Sequence, residues 1–160
     1  MSIEAKLNEM GFELPTVAAP VAAYVPAVKI DNYVYTAGQI PLVAGALKFK
    51  GKVGADISEE EAYQAAQVCA LNCLAAIKSV AGSLDYVEQV VKVVGFVNSA
   101  PGFTMQPKVI NGASELIGKL FGEQGAHARS AVGVSELPID AAVEVEMIVK
   151  IRDFKGESRC

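Results

Sequence analysis

The run from Val143 to Ile151 limits most strongly what this chain can become. Val143, Val145, Met147, Val149 and Ile151 occupy every second position, with Glu144, Glu146 and Lys150 between them. Successive side chains of an extended strand point to opposite faces, so the pattern predicts a strand with one buried face. Upstream, Leu137, Pro138, Ile139 and Asp140 carry turn chemistry, since Pro presets φ and Asp bonds back to its own backbone. Ala128 to Ile151 therefore reads as two short strands joined by a turn. Antiparallel pairing across that turn would bring Arg129 and Glu144 near one another or to a shared cleft. A guanidinium that grips an anion, beside a carboxylate that handles a proton or water, is a plausible catalytic pair. A cross-strand ion pair would use the same two residues for structure alone.

The rest of the chain supplies the layers such a strand needs. Asp56 to Glu61 opens a long helix, with Ser58 and Glu61 spaced as a capping box and acids in its first turn. Tyr63, Ala66, Ala70, Cys73, Leu74 and Ile77 recur at helical spacing until Ala81-Gly82-Ser83 stops the helix. Val87 to Asn98 is almost continuously apolar and predicts a central strand. A second helix is expected over Phe103 to Phe121, ended by Gly122, with Asn111 and Glu115 on or beside its exposed face. Asp31-Asn32 turns between two strands within Val28 to Ile40, and Val43 to Gly54 reads as a hairpin or loop with a short strand at Ala46 to Phe49. Residues 1–14 predict a short amphipathic helix, Pro15 to Pro26 an extended segment, and residues 156–160 a flexible tail. The expected plan is α+β, one domain over 1–160, with two helices on one face of a largely antiparallel sheet of about six strands.

Composition narrows the function classes. The formal charge is −4, and the 14 Lys and Arg residues form no basic cluster, which argues against a nucleic-acid surface. No apolar run approaches a membrane span, and the N-terminus carries acids where an export signal would be basic. The three cysteines are sparse and unframed, which suits a reducing cytoplasm. Cys69 and Cys73 lie one helical turn apart and read as small core residues, because a metal site would need further ligands and His127 is the only histidine. No phosphate-loop or dinucleotide fingerprint is present. His127, two residues before Arg129, is a candidate acid or base or a solvated loop side chain.

The segment Ala-Arg-Ser-Ala-Val-Gly-Val-Ser-Glu-Leu-Pro from Ala128, followed by Val-Glu-Val-Glu from Val143, resembles the C-terminal signature of the YjgF/RidA family. Tyr33-Val34-Tyr35-Thr36-Ala37-Gly38-Gln39-Ile40-Pro41 resembles that family's N-terminal strand. The resemblance spans about Val21 to Phe154. It implies a chorismate-mutase-like fold assembled as a homotrimer, with active clefts between subunits, and agrees with the apolar content of 52%.

It also implies hydrolysis of reactive enamines and imines to 2-oxo acids and ammonia, with neither metal nor organic cofactor. Arg129 matches the family's essential Arg and would hold a substrate carboxylate. Glu144 matches the Glu that positions or activates the attacking water. Ala131 would contact the imine nitrogen through its backbone, while Gly38, Gln39 and Tyr24 would wall the cleft. Ala131 stands where the best-characterised members carry Cys. The alternative is a trimeric binding protein for a small carboxylate metabolite without turnover. The endoribonuclease label carried by some relatives fits this acidic chain poorly.

Overall fold

The computed structural model describes residues 1–17 and 23–153. Residues 18–22 of the expected extended segment and the expected tail lie outside them. The chain runs α1 (Ile3–Glu9), β1 (Ala27–Ile30), β2 (Tyr33–Thr36), β3 (Leu42–Val43), β4 (Ala46–Leu47), α2 (Glu59–Ala81), β5 (Val87–Asn98), α3 (Gln106–Phe121), β6 (Ala128–Val134) and β7 (Val143–Ile151).

Local chemistry sets these bounds. The Ser58 hydroxyl accepts from the Glu61 amide while the Glu61 carboxylate accepts from the Ser58 amide, so the capping box starts α2 as expected. Pro107 sits in the first turn of α3, where a missing N–H costs nothing, and Gly122 caps its end. The second helix thus begins at Gln106, three residues inside the expected start at Phe103.

Among the described residues, a five-stranded sheet has the order β1-β2-β7-β5-β6, and β3 and β4 form a separate two-stranded ladder. All pairings in the main sheet are antiparallel except β5 with β6, which is parallel. That exception corrects the expected hairpin. β6 and β7 do not pair, because β5 lies between them. The physical reason is the long apolar β5, whose two edges offer backbone groups along its whole length. α3 returns the chain to one edge as a parallel β5-α3-β6 unit, and the eight residues 135–142 carry it past the end of β5 to the other. Asn98, at that end of β5, ties the crossing down: its amide donates to the Ala142 carbonyl, and its Nδ2 to the Asp140 carboxylate at 3.1 Å.

α2 packs on the sheet through its small residues. Ala62, Ala65, Ala66, Cys69, Ala70 and Cys73 are fully buried. The Cys69 and Cys73 thiols donate to the Val143 and Val145 carbonyls of β7, so both are structural core residues. Val143, Val145, Met147, Val149 and Ile151 all enter this core, as their alternation requires. The other face of the sheet carries Val28, Ile30, Tyr33, Tyr35 and Val132, each 40% to 59% exposed.

Candidate active site

Two periodicities meet at the β6 edge. Along β6 and the residue just before it, residues two apart share a face, so His127, Arg129, Ala131 and Gly133 point one way. On α3, residues three apart share a face, so Asn111 and Ser114 point together. The two faces meet. Arg129 Nη1 donates to Asn111 Oδ1 at 2.8 Å and to Ser114 Oγ at 3.2 Å. Ser114 Oγ lies 2.9 Å from His127 Nε2, and His127 Nδ1 lies 2.6 Å from the Gly125 carbonyl. Asn111, part-buried beside the exposed face of α3, thus faces β6, and His127 is a bonded member of the site. The sequence marks Ser114 only weakly. Its only signals were the helical spacing from Asn111 and the strand spacing of His127 from Arg129.

Arg129 is part-buried, and among the described residues both hydrogen-bond partners of its guanidinium are neutral. Among the described residues the ion pairs are Lys52–Glu136, Lys78–Glu4 and Lys150–Glu88, so no carboxylate neutralises Arg129. The alternative of an Arg129–Glu144 ion pair is thereby overturned. Register sets the two residues apart: Arg129 is opposite Val93 on β5, and Glu144 is opposite Phe96. Val93 belongs to the helix-covered core, whereas Glu144 alternates with core residues and projects from the other face. Two strand spacings, roughly 10 Å, also separate β6 from β7. Within one copy these side chains share no cleft.

Glu144 has its own setting. The Gln39 amide donates to the Val145 carbonyl at 2.8 Å, and the Val145 amide returns to the Gln39 carbonyl at 3.0 Å. Asn72 Nδ2 on α2 donates to the Ile40 and Leu42 carbonyls, both at 3.1 Å, which secures the chain just beyond. Gly38 is thereby laid against the Glu144 side chain. A Cβ at residue 38 would stand 1.9 Å from Glu144 Oε1, so only glycine permits this approach. Burial, and secondarily the nearby Glu146 carboxylate, raise the Glu144 carboxyl above its ordinary pKa. A carboxylate with raised basicity is suited to taking a proton from water.

The candidate residues thus fall into three groups. Glu144, Gly38 and Gln39 lie together at the β2–β7 junction, Arg129 and Ala131 lie on β6, and Tyr24 stands 65% exposed ahead of β1. β1 and β6 are opposite edges of the sheet. Among the described residues no three His, Cys, Asp or Glu side chains gather as a metal site, and no helix is long and apolar enough to cross a membrane.

Comparison with known proteins adds to this geometry. Residues 4–151 match the YjgF/chorismate-mutase-like family, whose description also attaches an unproven endoribonuclease label. Protein TCP17 of Trypanosoma cruzi is 43% identical over 154 residues, covering 94% of this chain and 95% of the relative. A 2-iminobutanoate/2-iminopropanoate deaminase of Dermatophagoides farinae is 31% identical, covering 86% of this chain and 92% of the relative. The crystal structure of Atu1372 from Agrobacterium tumefaciens, a protein of unknown function, superposes with a TM-score of 0.88 at 44% identity. It covers 94% of this chain and 92% of that one.

Proposed function

This chain belongs to the YjgF/chorismate-mutase-like family, and on that premise we propose that it hydrolyses imines or enamines derived from amino acids. The reaction takes R₂C=NH and water to R₂C=O and ammonia, so no electrons are exchanged and no covalent nucleophile is needed. The observation that carries this reading is the part-buried Arg129, whose guanidinium, among the described residues, is held by the neutral Asn111 and Ser114 side chains. Such a cation is set to take a ligand carboxylate through its remaining donors. The deaminase among the relatives supports the substrate class.

In this reading Arg129 anchors the substrate carboxylate and the Ala131 backbone meets the imine nitrogen. Glu144 accepts a proton from the attacking water and hands it on toward the departing nitrogen. Gly38, Gln39 and Tyr24 form the wall. Since Arg129 and Glu144 leave opposite faces of one sheet, the cleft is completed between copies, in a homotrimer. The imine carbon is already electrophilic, so orientation and modest proton transfer supply the acceleration. Metal and organic cofactor have no part in the scheme, and a cytoplasmic setting belongs to the same proposal.

A second reading has one feature in its favour: Ala131 offers only a methyl group to the cleft, which suits a trimer that holds a small carboxylate without turning it over. Turnover separates the two. Imines generated in situ by oxidising a panel of amino acids should convert to 2-oxo acids faster when the protein is added. Arg129→Ala should remove at least about 100-fold of that acceleration, as expected when a bidentate charge-assisted pair is lost. No acceleration from a folded trimer, together with saturable uptake of a 2-oxo acid, would establish the binding protein instead.

A further inference from the structure

We propose that Ser114 and His127 are positioning residues that set the rotamer of Arg129, and with it the geometry in which the guanidinium takes a carboxylate. This rests on the reading of Arg129 as the anion-binding group and adds the device that aims it.

The direction of each hydrogen bond follows from chemistry. His127 Nδ1 faces a carbonyl oxygen, the Gly125 carbonyl at 2.6 Å, which can only accept. In the neutral ring Nδ1 therefore carries the hydrogen and Nε2 is left as an acceptor. The Ser114 hydroxyl, 2.9 Å away, must then donate its single hydrogen to Nε2. Its oxygen lone pairs are turned to other donors, and Arg129 Nη1 at 3.2 Å takes one. Asn111 Oδ1 accepts from the same Nη1 at 2.8 Å. The backbone carbonyl thus fixes the imidazole, the imidazole fixes the hydroxyl, and the hydroxyl helps fix the guanidinium.

The consequence lies in which nitrogens are used. Among the described residues, both hydrogen bonds of the Arg129 guanidinium fall on Nη1. Nη2 and Nε, the edge that presents two parallel N–H groups to a carboxylate, stay clear of them. A long, flexible side chain loses considerable rotamer freedom when it binds a ligand. Ordering Arg129 beforehand removes part of that cost, so the effect should fall on binding. The anchor holds the carboxylate alike before and during reaction, so its loss raises KM and leaves kcat nearly unchanged.

The test compares wild type, Ser114→Ala, Ser114→Thr, His127→Ala and Arg129→Ala in imine hydrolysis and in NMR titration with 2-oxobutanoate. Ser114→Ala should raise KM and the 2-oxobutanoate dissociation constant about tenfold, with kcat within about threefold. His127→Ala should raise both by about threefold, and Ser114→Thr, which keeps the hydroxyl, should restore wild-type values. Ser114→Ala with unchanged KM and dissociation constant would overturn the proposal.

A second readout needs no turnover. Side-chain ¹⁵N NMR of the wild-type protein should show His127 as the Nδ1–H tautomer, its Nε2 resonance moving in Ser114→Ala. An Nε2–H tautomer would overturn the relay. The two readings fail separately. Wild-type protein that neither hydrolyses imines nor takes up 2-oxobutanoate sinks the functional reading and leaves the relay to the tautomer. Loss in Arg129→Ala with none in Ser114→Ala sinks the relay alone.

Discussion

Glu144 and Gly38 form a unit in which the smaller residue controls the larger. The Glu144 carboxylate occupies the space where a Cβ at residue 38 would sit. Gly38→Ala must therefore push the carboxylate aside, and the flexible end of a glutamate can yield. The expected outcome is a loss of turnover of about tenfold or more with little loss of thermal stability, read from kcat and a melting curve.

The raised pKa of Glu144 gives a second prediction at this scale. Because folding favours its protonated form, the stabilisation from this group is complete below the unfolded-state pKa and is lost as pH rises through the folded one. Glu144→Gln should therefore leave the melting temperature nearly unchanged at about pH 4 and raise it by a few degrees near pH 7, while removing turnover. A melting temperature lowered by the substitution near neutral pH would contradict the burial argument.

Between elements, α2 and α3 approach one another closely at Gly112. A Cβ at Gly112 would lie 2.1 Å from the Tyr63 carbonyl oxygen, and that atom belongs to the backbone of α2. Unlike the glutamate at Gly38, it cannot swing away. Gly112→Ala should force the helices apart and cost roughly 1–3 kcal/mol in denaturant unfolding, with disturbance carried to Asn111 and Ser114 on the same helix. The helix thus has two duties, since one side packs on α2 and another holds Arg129. Elements of this kind were readable from local signals: the Ser58–Glu61 box, the helical stripe of α2 and the alternation of β7 all mark what they became. Proximity in sequence favours a β6–β7 hairpin, and the fold does not form one. The competing edge of β5, reached through a helix, gave β6 its partner.

At the scale of the whole molecule, the sheet has one face covered by helices and another bearing Val28, Ile30, Tyr33, Tyr35 and Val132. Apolar side chains gathered on one face favour association with further copies. Val132→Asp, on the edge strand that carries Arg129, should give a folded monomer by light scattering with imine hydrolysis lost. A trimer that survives the substitution with full activity would dispose of the intersubunit cleft.

The chain's own order of residues decided which segments are strands and helices and which side of β7 is dry. These are consequences of periods of two and of 3.6 and of side-chain chemistry, and such properties are local. Tertiary structure alone decided that Arg129 meets Asn111, Ser114 and His127, and that Glu144 meets Gly38 on the opposite face. Contacts between distant segments depend on strand order and register. A shift of one strand position or one register step would change every partner while leaving each local pattern intact.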